Sequence, residues 1–151
     1  MVNYSIFDIA NWFLTKEQMS HRKLQKLCYY AVAWGYALLD RAICDNSEFE
    51  AWVHGPVSPM LYEKYQGNGW VELKPDEDFS CTFDDVTLDL LESTWITYGH
   101  HTGNSIAALT HTELPWISAR IGLEANEPSS SLIDVHDMKR FYKSIYIGGE
   151  A

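Results

Sequence analysis

From Leu27 to Leu39 the chain carries no charged residue. That run limits the possible folds more than any other feature. Ser20 precedes it and is suited to cap a helix N-terminus, so the pattern predicts a helix over about 21–40. Leu24, Leu27, Cys28, Ala31, Val32, Gly35 and Leu38 fall on one face, and Tyr29, Tyr30, Ala33, Trp34, Tyr36 and Ala37 cover much of the rest. A helix that is apolar all round has to be enclosed, so this one is expected at the centre of a bundle. Lys23 and Lys26 stand near its N-terminal end, where a positive charge opposes the helix dipole. They call for a structural reason, such as an acidic neighbour.

The remaining elements follow from periodicity and punctuation. Ile6, Ile9, Ala10, Phe13 and Leu14 mark an amphipathic helix over 5–14. Alternation over 48–54 reads as a strand ended by Gly55-Pro56, with a second short strand at 79–83 as its partner. Ser58-Pro59 opens a helix over 59–65, which stops at 66–69. Asp84 and Asp85 start a helix over 85–98 with Val86, Leu88, Leu91, Trp95 and Tyr98 as its inner stripe and Gly99 as a left-handed cap. Short helices are expected at 104–109 and 116–121, the second closed by Gly122, followed by a surface loop at 126–131. A last helix, over 135–145, turns Val135, Met138, Phe141 and Tyr142 inward, and residues 148–151 should fray. The expected fold class is mainly α (α+β): a compact bundle of about six to seven helices around a buried central helix, with one small antiparallel β element. Residues 1–151 are expected to form a single domain, since no repeat or linker divides them.

Composition then narrows function. A hydrophobic share of 46% supplies a core and excludes disorder. The formal charge of −10 argues against nucleic-acid binding, which needs a basic surface. Cys28, Cys44 and Cys81 form no CxxC pair, and free thiols suit a reducing cytoplasm. No signal peptide is recognisable and no run approaches the ~20 apolar residues of a membrane span, so neither export nor a membrane is expected. Aromatic residues make up 14%, either as core fillers or as interface anchors.

Catalytic signals are missing. The chain has no HExxH, no GxSxG and no phosphate-binding Gly-rich loop. Cys28 lies in the most apolar helix, where a thiol packs rather than reacts. His54, His100, His111 and Glu113 provide ligand chemistry for an alternative reading as a small metal protein or enzyme, but their spacing puts no two ligands on one helix face. The reading is of a binding module with no catalytic residues, no cofactor and no metal.

Three segments, taken in order, carry a resemblance. The first is Lys23-Leu24-Gln25-Lys26-Leu27 with Tyr29-Tyr30-Ala31 and Ala33-Trp34. The second is Phe49-Glu50-Ala51-Trp52, then His54-Gly55-Pro56-Val57 with Pro59 and Tyr62. The third is Leu109-Thr110-His111, Glu113, Pro115-Trp116 and Ala119-Arg120. Together they resemble the Panacea domain, the SocA-like antitoxin family related to phage-associated GepA-like proteins, over about residues 6–142. The resemblance implies an antitoxin of a bacterial or prophage toxin–antitoxin pair that neutralises a cognate toxin by direct contact. It also implies an alternative, an adaptor that delivers the toxin to a Clp-type protease. The resemblance implies DNA-binding segments only in longer relatives, and none is expected in this chain. Most of the shared residues read as structural: Leu24, Leu27, Tyr30 and Trp34 as core, Gly55, Pro56, Val57 and Pro59 as a corner, and Pro115 and Trp116 as a helix start. Glu113 is counted with the structural residues, and Gln25, Lys26, Glu50, Trp52, His54 and His111 are polar or amphipathic exceptions, fitting either a buried polar network or a toxin surface. Trp52, His54, Tyr62 and Trp70 mark the preferred toxin-binding edge, where exposed aromatics flanked by acids would meet the partner.

Overall fold

The computed structural model describes residues 4–67 and 71–150, with side chains to residue 146. These residues form seven helices and one hairpin: α1 (Ile6–Lys16), α2 (His21–Leu39), β1 (Glu50–Trp52), β2 (Gly55–Val57), α3 (Pro59–Tyr65), α4 (Asp85–Tyr98), α5 (Gly103–His111), α6 (Leu114–Ala119) and α7 (Val135–Glu150). The mainly α class with one small antiparallel element is the one the sequence predicts.

α2 is the central helix. The Ser20 hydroxyl accepts the Lys23 N–H at 3.2 Å, and Asp40 ends the helix in the left-handed conformation at φ 56°. Between those caps α2 touches α1, α4, α5, α7 and β2. Leu24, Leu27, Cys28, Ala31 and Val32 are fully buried on one side, and Tyr29, Tyr30 and Ala33 on the other. Leu38 departs from the expected face and is exposed, because the last turn emerges from the bundle. α1 closes one flank. A capping box starts it: the Ser5 hydroxyl accepts the Asp8 N–H and the Asp8 carboxylate accepts the Ser5 N–H.

The β element differs from expectation. Gly55 and Pro56 do not end the strand; they begin its return. Trp52 pairs with Gly55, Ala51 with Pro56 and Glu50 with Val57, so Val53 and His54 form the turn. Gly55, at φ +120°, takes up the reversal that neither turn residue takes at positive φ. Pro56 has no N–H for a ladder, which an outer strand tolerates. The other edge of β1 is filled by the loop before α7. Ala51 N–H donates to the Ser131 carbonyl at 2.8 Å, and Ile133 N–H to the Phe49 carbonyl at 2.9 Å. With both edges of β1 occupied, residues 79–83 do not pair with it and form no strand. Phe83 serves the core as a ring instead, 4.7 Å from Tyr4.

α4 is rotated from the expected stripe. Thr87, Leu90, Leu91, Thr94 and Tyr98 are buried, while Val86 is exposed. A threonine can take a core position when its hydroxyl turns back to its own helix, as Thr94 does to the Leu90 carbonyl at 2.8 Å. Gly99 caps α4 at φ −63°, not in the left-handed region. α5 runs on to His111 and α6 starts at Leu114, each beyond its expected bounds. α7 buries Met138 and Tyr142, but Val135 points to solvent. The helix continues through Gly148 and Gly149 to Glu150. Among the described residues no helix is long and apolar enough to cross a membrane.

Candidate protein-binding site

The hairpin, the first turns of α2 and α3 meet around an open cleft of about 960 Å³. Gln25 fixes their relation. Its side-chain oxygen accepts the Ser58 N–H at 2.8 Å and its amide donates to the Ser58 carbonyl at 3.2 Å, so α2 holds the corner from which α3 starts. Ser58 in turn caps α3 through the Leu61 N–H, with Pro59 in the first turn. Gly55 lets the hairpin lie directly on α2. A Cβ there would sit 2.8 Å from Lys26 Cε and 2.8 Å from Thr110 Oγ1.

Trp52 and Tyr62 form one wall, with ring centroids 4.8 Å apart. His21 stacks on Tyr62 at 5.8 Å. Glu50 is spent on orientation: its carboxylate accepts the Trp52 indole N–H at 2.8 Å. His54 tips the hairpin turn in solvent, and the loop at Pro128–Ser130 faces it across the cleft. Trp52, His54 and Tyr62 therefore share one site, as the sequence suggests; Trp70 lies outside the described residues.

The charge of this site is the opposite of what the acidic chain suggests. Arg22 and Lys26 line the cleft with His21 and His54. Lys26 is 2% exposed, and burial, together with the nearby Arg22 charge, brings its pKa down to about 7. Burial and the Lys26 charge push His21 down to about 4, so it is neutral and its Nε2 accepts from the Gln25 amide at 3.0 Å. His54 is lowered by burial and by Arg22 and Lys26.

Other shared residues build structure beneath the cleft. Glu113 is buried, and a single oxygen of its carboxylate accepts the Tyr30 hydroxyl at 2.8 Å and the Tyr142 hydroxyl at 2.7 Å. Tyr29 reaches Tyr142 at 3.1 Å, and Tyr30 stacks on Tyr98, which takes the Trp34 indole N–H at 2.9 Å. Desolvation raises the Glu113 pKa despite the two hydroxyls. His111 stacks on Trp116 at 4.1 Å, and the Trp116 indole donates to the Trp52 carbonyl at 2.8 Å. Arg120, also buried, donates to the carbonyls of Ala51, Glu124 and Glu127 and lies over Trp116. It ties the loop after α6 to the hairpin.

Among the described residues no three His, Cys, Asp or Glu side chains are grouped to hold a metal. His100 and His101 stand together elsewhere, His101 bonded to Ser105. Sequence reasoning missed His21, Arg22 and the 128–130 loop as parts of the cleft. Only the pile-up of bases at an α2 N-terminus that disfavours them pointed there.

The chain matches the family described as antitoxin SocA-like, Panacea domain, over residues 24–117. That range takes in α2, the hairpin, the cleft walls at Trp52 and Tyr62, and Glu113. Comparison with curated proteins and with solved structures finds no match. Because the family match spans more than half of the sequence, this chain belongs to the SocA-like antitoxin, Panacea domain family.

Proposed function

We propose that this protein neutralises a cognate toxin, encoded beside it in a bacterial or prophage genome, by forming a tight complex in the cytoplasm. The family match carries this reading. Residues 1–151 act as one domain and need no catalysis, metal or cofactor. The cleft edge at Trp52, His54 and Tyr62 supplies the contact. Trp52, oriented by Glu50 and tied through its backbone to Trp116, and Tyr62, stacked on His21, offer the apolar anchors that dominate interface energy, while the −10 charge keeps the chain from nucleic acid.

Co-expression tests the reading. Growth should return when the neighbouring gene is induced together with this one, and the two proteins should co-purify. The double variant Trp52→Ala/Tyr62→Ala should fold and lose both effects. Rescue without a complex would remove direct binding as the mechanism, and a harmless neighbour would remove the antitoxin role. A toxin that disappears only when a Clp-type protease is present would favour delivery to the protease over simple inhibition.

A further inference from the structure

Lys23 and Lys26 lie one turn apart at the same end of α2, and the fold treats them differently. Lys23 donates to the Gly99 carbonyl at 2.7 Å and pairs with Glu17 at 3.3 Å. Lys26 is more deeply buried, yet among the described residues none gives its ammonium a hydrogen bond or an ion pair. The titratable groups facing it are all bases, and they come from three elements: Arg22 and His21 on α2, His54 in the hairpin turn and His111 at the end of α5. No carboxylate is among the groups that act on it. A buried charge is normally paired, because desolvation is otherwise uncompensated. Here the side chain lines an open cleft, and its stem is held by the hairpin backbone at Gly55.

We propose that the cleft is a carboxylate-binding pocket, in which an aspartate or glutamate side chain of the partner polypeptide pairs with Lys26 while its neighbouring residues pack on Trp52 and Tyr62. The identity of the partner rests on the antitoxin reading; the pocket chemistry does not. Charge complementarity selects the occupant. Arg22 is already engaged with the Asn104 side-chain oxygen at 2.7 Å, which leaves one unengaged ammonium at depth. One point charge matches a monoanion, whereas a phosphate draws on several donors at once. The aromatic wall and a volume of about 960 Å³ suit a stretch of polypeptide around that carboxylate.

The test uses the full chain. ¹³C-labelled lysine methylenes are followed by NMR while N-acetyl-glutamate methylamide, its glutamine isostere and inorganic phosphate are added in turn. The glutamate probe should shift the Lys26 signal and move its titration upward, and the glutamine probe should not. Lys26→Met should abolish glutamate binding, followed in both proteins on the Trp52 indole N–H signal in the same cleft, while unfolding no more readily than wild type, since the free protein loses no partner. The same substitution should weaken the complex with the co-purified toxin about ten- to hundredfold, as expected for one charge-assisted hydrogen bond. Equal responses from wild type and Lys26→Met, or a Lys26 that titrates like an exposed lysine, would overturn the proposal. So would a phosphate response stronger than that to glutamate. If glutamate fails while wild type still captures the toxin, the pocket chemistry is wrong and the antitoxin role stands. If glutamate binds and no neighbouring gene is toxic, the antitoxin role is wrong and the pocket stands.

Discussion

Lys26 shows what a single residue can carry in this fold. Its lowered pKa means that the folded chain holds the proton less tightly than the unfolded chain does. Between about 7 and the ordinary value of 10.5, unfolding therefore takes up a proton. Wild type should gain stability as pH rises through that window, and Lys26→Met should lack the gain. Denaturant midpoints of the two proteins at pH 7 and pH 10 measure it, since other titrations cancel in the difference. Glu113 has the opposite sign. Its raised pKa makes its contribution greatest below the usual carboxylate value of 4.5, with loss as pH climbs through the folded value. Glu113→Gln should remove that mildly acidic slope in urea titrations while keeping an oxygen for Tyr30 and Tyr142. Neither sign is legible in the sequence, where both residues are simply charged positions in family motifs. The partners that settle them come from other parts of the chain.

At the scale of elements, the hairpin is the part most dependent on particular residues. Gly55 sits at φ +120° with no room for a Cβ. Gly55→Val should destabilise by more than about 1 kcal/mol from backbone strain alone, and more through displacement of Lys26, read as a drop in thermal midpoint. Arg120 spans from α6 to the Ala51, Glu124 and Glu127 carbonyls. Lysine is a point donor and cannot reproduce the planar fork, so Arg120→Lys should cost on the order of 2 kcal/mol. Hydrogen exchange should rise in residues 121–131 before the rest of the chain. Helices were legible because period and caps are local: Ser20, Ser58 and Asp84 each cap the helix expected of them. The hairpin was misread because strand pairing is non-local. Gly55-Pro56 looks like a stop in sequence and becomes a return strand once α2 lies beneath it.

For the whole molecule, the family match and the folding unit have different extents. The match covers residues 24–117, but the core also takes Ile6, Ile9 and Phe13 from α1 and Met138 and Tyr142 from α7, all buried. A fragment of residues 24–117 loses both flanks of α2 and one of the two hydroxyls on Glu113. It should show no cooperative thermal transition by circular dichroism, whereas residues 1–151 should show one. A cooperative fragment would mean that α1 and α7 only decorate the bundle.

The sequence by itself determined the class of fold, the central helix and the family. An uncharged run of thirteen residues, Leu27 to Leu39, has to be enclosed wherever it lies, and the motif residues keep their order without reference to space. It also brought Trp52, His54 and Tyr62 forward as one edge. Only the tertiary structure decided which motif residues are spent on the fold. Gln25, Glu50, Glu113 and Arg120 find partners 2.8 Å away or closer in at least one bond, and Lys26 finds none among the described residues. A polar side chain's role depends on whether its desolvation is compensated, and the compensating groups lie up to 83 positions distant, as Glu113 does from Tyr30.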